Sequence, residues 1–208
     1  MNAIHPDALW RFALWLAAIT VFYNIGEGIV SVFFGASDES LSLFGFGLDS
    51  FVEVISGLGI WHMVARVRKN AGPNALFEKR ALKITGFSFY VLACGLIVTA
   101  FLNIYSRSQP ATTFWGIVIS LISIATMMIL MTAKTRVGRK LGSDAIIADA
   151  KCTRTCVYLS IVLLLSSILF EILKIGYIDS IGALGIAFYA FMEGRESIEK
   201  SKGKITGD

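Results

Sequence analysis

Residues 41–65 read LSLFGFGLDSFVEVISGLGIWHMVA. The stretch exceeds the roughly 20 apolar residues that an α-helix needs to cross a bilayer. It also holds two carboxylates, Asp49 and Glu53, in its interior. Ionisable groups inside a span are costly, about 2.5–3.5 kcal/mol each on insertion scales, and point to function. This one segment therefore predicts a transmembrane helix with a polar site in it.

Five further apolar segments flank it, at 9–35, 84–105, 113–133, 144–171 and 176–194. Pro6, Pro73 and Pro110 all fall outside them. The composition agrees: 55% of the 208 residues are hydrophobic and only 16% charged, against roughly a quarter charged in soluble domains. The expected fold is an all-α membrane protein with six transmembrane helices, forming a single domain over 1–208. Met1 to Trp10 lacks the basic n-region and the small-residue cleavage site of a signal peptide, so the first segment is expected to remain as a span. Arg195 to Asp208 is polar and is expected to fray.

The net charge of +4 does not point to nucleic acid, because the charges sit in the links between apolar segments. One side gathers Arg66, Arg68, Lys69, Lys79, Arg80 and Lys83 in the link 66–83, and Lys134, Arg136, Arg139 and Lys140 in the link 134–143. Arg11 and the tail residues Arg195, Lys200, Lys202 and Lys204 fall on the same side. The other side has Arg107 and Lys174, with the acids Asp38 and Glu39. The positive-inside rule then places both termini in the cytoplasm, as an even number of spans requires. Trp10, Trp61, Tyr105, Trp115 and Tyr177 lie near span ends and fit interfacial belts.

Depth selects which intramembrane polar groups can meet. At about 1.5 Å per residue, Asp49 and Glu53 lie roughly 12 and 18 Å from the outer end of helix two. Glu27 and Asn24 lie roughly 12 and 16 Å down helix one, and Cys156 and Cys152 roughly 22 and 28 Å down helix five. Asp149, near 33 Å, marks the cytoplasmic mouth. Asp49 and Glu53 are four apart and share a helix face, as do Cys152 and Cys156. Opposed, the two pairs offer two carboxylates and two thiolates, a tetrahedral oxygen and sulfur set that suits zinc. Lys151 and Arg154 are expected to favour thiolate formation. Gly26, Gly28, Gly45, Gly47, Gly57 and Gly59 flank the acids and permit close helix approach.

Blander readings stand beside these. Asp149 can form a structural ion pair with Lys151 or Arg154. Cys94 reads as an inert core residue, and a buried cysteine pair can likewise be plain packing. His62 reads as interfacial, His5 and Asp7 as weak cytoplasmic candidates, and Asp179 as an outer vestibule group or a cap on helix six. A thiol oxidoreductase using Cys152 and Cys156 is disfavoured, because side chains four apart on one helix close poorly into a disulfide.

Residues 24–57, NIGEGIVSVFFGASDESLSLFGFGLDSFVEVISG, resemble the first two spans of the cation diffusion facilitators. In that family a second-helix pair of ligands four apart holds the transported ion; here the pair is Asp49 and Glu53. ADAKCTRTCVYLS, residues 148–160, is similar to the fifth helix and sets Cys152 and Cys156 on its ligand positions. YAFMEGRESIEKS, residues 189–201, resembles the sixth helix and the run after it. Two departures from the family are expected: no cytosolic C-terminal domain, and no histidine-rich link between helices four and five. The cysteines in place of His and Asp tilt preference toward soft or borderline metals.

The resemblance implies a multi-pass cell-membrane protein, a homodimer in the lipid bilayer. It is expected to export Zn²⁺, with Cd²⁺ or another divalent ion as alternatives, in exchange for protons by alternating access. The expected metal ligands are Asp49, Glu53, Cys152 and Cys156, with Glu27, Asn24 and Asp149 as secondary candidates. No catalytic residue, resident cofactor or nucleic-acid partner is expected. The alternative is a non-transporting membrane metal sensor or accessory subunit.

Overall fold

The computed structural model describes residues 6–37, 40–69, 75–106, 114–173 and 178–203. His5, Asp38, Glu39 and the side chain of Asp179 lie outside the described residues. Among the described residues six α-helices follow in order: α1 (Pro6–Ser37), α2 (Leu41–Lys69), α3 (Ala75–Ser106), α4 (Phe114–Leu141), α5 (Asp144–Leu173) and α6 (Ile178–Ser201). Among the described residues there is no strand. The stretches Asp7–Ser37, Ser42–Lys69, Ala75–Leu102, Phe114–Leu141 and Asp144–Ile172 are long and apolar enough to cross a membrane.

The helices outrun the apolar segments at the basic end. Most of the residues expected in the links 66–83 and 134–143 are helical, and so is the tail through Ser201, which was expected to fray. The physical reason is that apolarity ends where water begins, whereas a helix ends only where the backbone is stopped. The α4–α5 link shows such a stop. Gly142 adopts φ +62°, its N–H bonds the carbonyl of Arg139, and the Ser143 N–H bonds that of Gly138 at 3.0 Å. Ser143 then caps α5, its Oγ accepting from the Ile146 N–H at 3.3 Å. Glu78 of α3 adds a second cap, accepting from the Ala145 N–H at 2.6 Å and from Ser143 Oγ at 2.8 Å.

A Cβ on Gly142 would meet nothing within 4 Å, so substitution tests backbone conformation alone. Gly142→Ala is expected to lower stability by about 1–2 kcal/mol, the cost of a left-handed non-glycine residue. Gly142→Asn should recover part of this, because asparagine tolerates that conformation. Thermal unfolding of the detergent-solubilised protein checks both; equal melting of wild type and Gly142→Ala would refute the assignment.

Two apolar clusters organise the packing. One joins Trp10, Ala13 and Leu16 of α1 to Ile60, Met63 and Val64 of α2, Leu82 of α3, Met127 and Leu130 of α4, and Ile146 of α5. The other joins Leu43 and Phe46 of α2 to Phe89 and Leu96 of α3, Ile119 of α4, Leu159 of α5 and Ala187 of α6. The start of each helix thus packs with the end of its chain neighbour, and the basic helix ends gather at one end of the bundle. Large apolar side chains such as Trp15, Phe22, Ile129, Ile181 and Phe188 face outward, as lipid-facing residues do.

Along α1 and α2 the register between the two clusters is polar. Thr20, Asn24, Glu27 and Ser31 fill it on α1, and Asp49, Ser50, Glu53 and Ser56 on α2, all of them buried. Trp10 belongs to the first cluster, whereas Tyr105 and His62 are exposed. Cys94 is not a core residue: it is exposed on α3, one face of which is turned away from the bundle.

Candidate metal site

Close approach of α1 and α2 sets the site. Gly47 packs directly on α1, where a Cβ would lie 2.7 Å from the Val32 nitrogen. Two residues on, Asp49 faces α5, and its Oδ2 accepts from the Cys156 thiol at 3.3 Å. The acid and sulfur that depth and spacing paired are therefore in contact. Asp49 Oδ1 is buried and has no hydrogen-bond partner.

Glu53 lies one turn further along α2, fully buried. Its Oε1 accepts from Thr153 Oγ1 at 2.5 Å, and its Oε2 has no hydrogen-bond partner. Asn24 is also fully buried; its amide donates to the Thr20 carbonyl at 2.9 Å, which leaves Oδ1 without a partner. A buried acceptor without a donor loses its full hydration. Three such oxygens on α1 and α2 make this register a region that a cation would stabilise.

Of the other expected groups, Glu27 is held by hydrogen bonds. Both Glu27 oxygens accept hydrogen bonds at 3.0 Å, from Tyr23 on its own helix and from Ser50 on α2. Glu27 thus ties α1 to α2. Cys152 is buried in the apolar cluster with Leu159, Leu163 and the α6 alanines. Among the described residues, no three His, Cys, Asp or Glu side chains converge as a metal site.

Lys151 and Arg154 do not serve the cysteines, contrary to expectation. Lys151 pairs with Glu193 and Glu196 of α6, each at 2.8 Å, and Arg154 pairs with Glu193 at 3.1 Å and bonds Tyr189. They cannot then be the partners of Asp149 either. The cation that meets Asp149 is Lys134 of α4, at 2.8 Å, with Lys134 and Asp149 both 1% exposed. Lys134 also lies 3.7 Å from Glu53 Oε1 and donates to Thr153 Oγ1 at 2.8 Å. Ser56 completes the group, donating to Asp149 Oδ1 at 2.8 Å while its hydroxyl meets that of Thr85.

Sequence reading missed Lys134 because it is the first charge after an apolar segment and counts naturally with the link. A signal was present. Gly116, Ser120, Ser123, Met127, Leu130, Lys134 and Val137 recur at spacings of three and four, and all are buried. Continuing that stripe past Ala133 puts Lys134 on the inward face.

A cavity of about 450 Å³ lies between α2 and α3, with Asp49 and Cys94 in an otherwise largely apolar wall. It brings Asp49 to the edge of the helix packing.

Residues 17–203 match the family model of the cation efflux transmembrane domain. The chain belongs to the cation diffusion facilitator family. It is accordingly a multi-pass membrane protein of a family that moves divalent metal cations. No curated protein matches it. Within this facilitator, the second-helix acids lie on the buried α2 face, and Cys156 of the fifth helix contacts Asp49.

Proposed function

We propose that the chain exports a divalent cation, Zn²⁺ first among them, in exchange for protons by alternating access. The observation that carries this reading is the buried contact between Asp49 and Cys156, next to the partnerless oxygens of Asp49, Glu53 and Asn24. A thiol donating to a carboxylate is a proton held between two metal ligands. A cation that takes both must displace that proton, so ion and proton compete for one place. The soft sulfur and hard oxygens together favour a borderline ion over Mg²⁺ or Ca²⁺.

In this reading Asp49, Glu53 and Cys156 bind the ion, and Cys152 joins them when α5 turns toward α2. Asn24 lends its amide oxygen, Glu27 holds α1 against α2, and the ion enters past Asp149. All six helices span the bilayer, with the basic end and both termini in the cytoplasm, and the working unit is a homodimer.

The test is zinc uptake into proteoliposomes, followed with an internal metal indicator. Reconstituted protein should raise uptake well above that of protein-free vesicles, and a pH gradient, acid on the side receiving the exported ion, should accelerate it. Flux indifferent to the gradient would remove proton coupling. Tight ion binding with no flux would identify a sensor or accessory subunit instead.

A further inference from the structure

Resting on the proposed transport site, we infer that Lys134 is a tethered counter-cation, which holds Glu53 until the transported ion takes it. Four carboxylates are buried in the polar register, those of Glu27, Asp49, Glu53 and Asp149. Among the described residues, Lys134 is the buried cation that pairs with them, and it pairs with two. The two contacts are unequal: 2.8 Å to Asp149, with hydrogen-bond geometry, against 3.7 Å to Glu53.

That asymmetry defines the role. Asp149 and Thr153 anchor the ammonium, and Ser56 fixes Asp149 from the other side. Glu53 is held by the field of the ammonium and by the Thr153 hydroxyl rather than by a direct bond. Its second oxygen is already free. An arriving divalent ion can therefore take Glu53 without breaking the Lys134–Asp149 pair, but it must bind against the ammonium's charge. Like charges a few ångströms apart in a buried site repel strongly. Lys134 thereby weakens ion binding and aids release, as a transporter requires and a storage site does not.

Equilibrium binding of Zn²⁺ and Cd²⁺ to the full chain in nanodiscs tests this. Lys134→Gln should bind about tenfold more tightly than wild type, since a repelling charge is gone. Removing one partner of a buried pair can prevent folding. Lys134→Gln/Asp149→Asn removes the pair together and should bind about tenfold more tightly than Asp149→Asn alone, which keeps the ammonium. A merely structural lysine predicts unchanged or weaker binding in every variant that folds, and that result overturns the role. In that case loss of binding in Asp49→Ala would leave the transport site standing. If Asp49→Ala binds as wild type does, the site and the role of Lys134 fall together.

Discussion

Asp49→Ala is expected to bring zinc uptake in proteoliposomes down to the level of protein-free vesicles, a loss of at least about a hundredfold. Groups that only support metal ligands typically cost 10–100-fold when removed, and Asp49 is proposed as a ligand itself. One of its oxygens meets Cys156 and the other has no partner, so both are aimed at the register where the ion is proposed to bind. Alanine deletes the charge and the bridge to α5 together. Asp49→Asn separates those effects: it keeps an acceptor oxygen of similar shape, and so should retain the bridge to Cys156 while losing most of the ion affinity. Glu27→Gln makes the contrast. Both Glu27 oxygens already accept hydrogen bonds from Tyr23 and Ser50, so loss of its charge should disturb helix packing more than ion affinity. Initial uptake rates over a range of zinc concentrations distinguish the three variants. Normal transport by Asp49→Ala would sink the site assignment.

How much of this was legible in the chain differs by kind of residue. Asp49 and Glu53 stood out because a carboxylate in a span violates the solvent, and Cys156 followed from spacing and depth. Each signal is local, and helix geometry carries it faithfully over a turn or two. Partner choice is not local. Lys151 and Arg154 lie only two and five residues after Asp149, yet they turn to Glu193 on α6, because residues at those separations on a helix project from a different face. Asp149 instead meets Lys134, fifteen positions back on α4. The pairing depends on which faces α4 and α5 present to each other, and hydropathy does not encode that. Cys152 shows the same limit. It lies four residues before Cys156, yet it is Cys156 whose thiol meets Asp49, while Cys152 belongs to an apolar cluster drawn from α2 through α6. The helix ends were misjudged for a simpler reason, since hydropathy reports the edge of the lipid and Gly142 reports the edge of the helix.

The α1–α2 contact gives the largest expected effect on the architecture, through Gly47. A Cβ there would lie 2.7 Å from the Val32 nitrogen and 2.9 Å from Ser31 Cβ. The first neighbour is backbone and cannot rotate away, so the helices must separate. Overpacking of this kind costs typically 1–3 kcal/mol, and Gly47→Ala is expected at about 2–3 kcal/mol because the obstruction is main chain. The consequence reaches the site, as Asp49 is two residues away and Ser50 holds Glu27 across the same seam. Displacement of α2 from α1 would draw Asp49 off Cys156, and zinc affinity should fall by about tenfold or more, the scale on which loss of support for a metal ligand acts. Gly26→Ala is the internal control. It lies on α1 within the same polar stretch, but a Cβ there meets nothing within 4 Å, so melting temperature and zinc affinity should both stay near wild type. If the two variants melt alike, the close approach at Gly47 does not hold the seam, and the placement of Asp49 must come from elsewhere in the bundle.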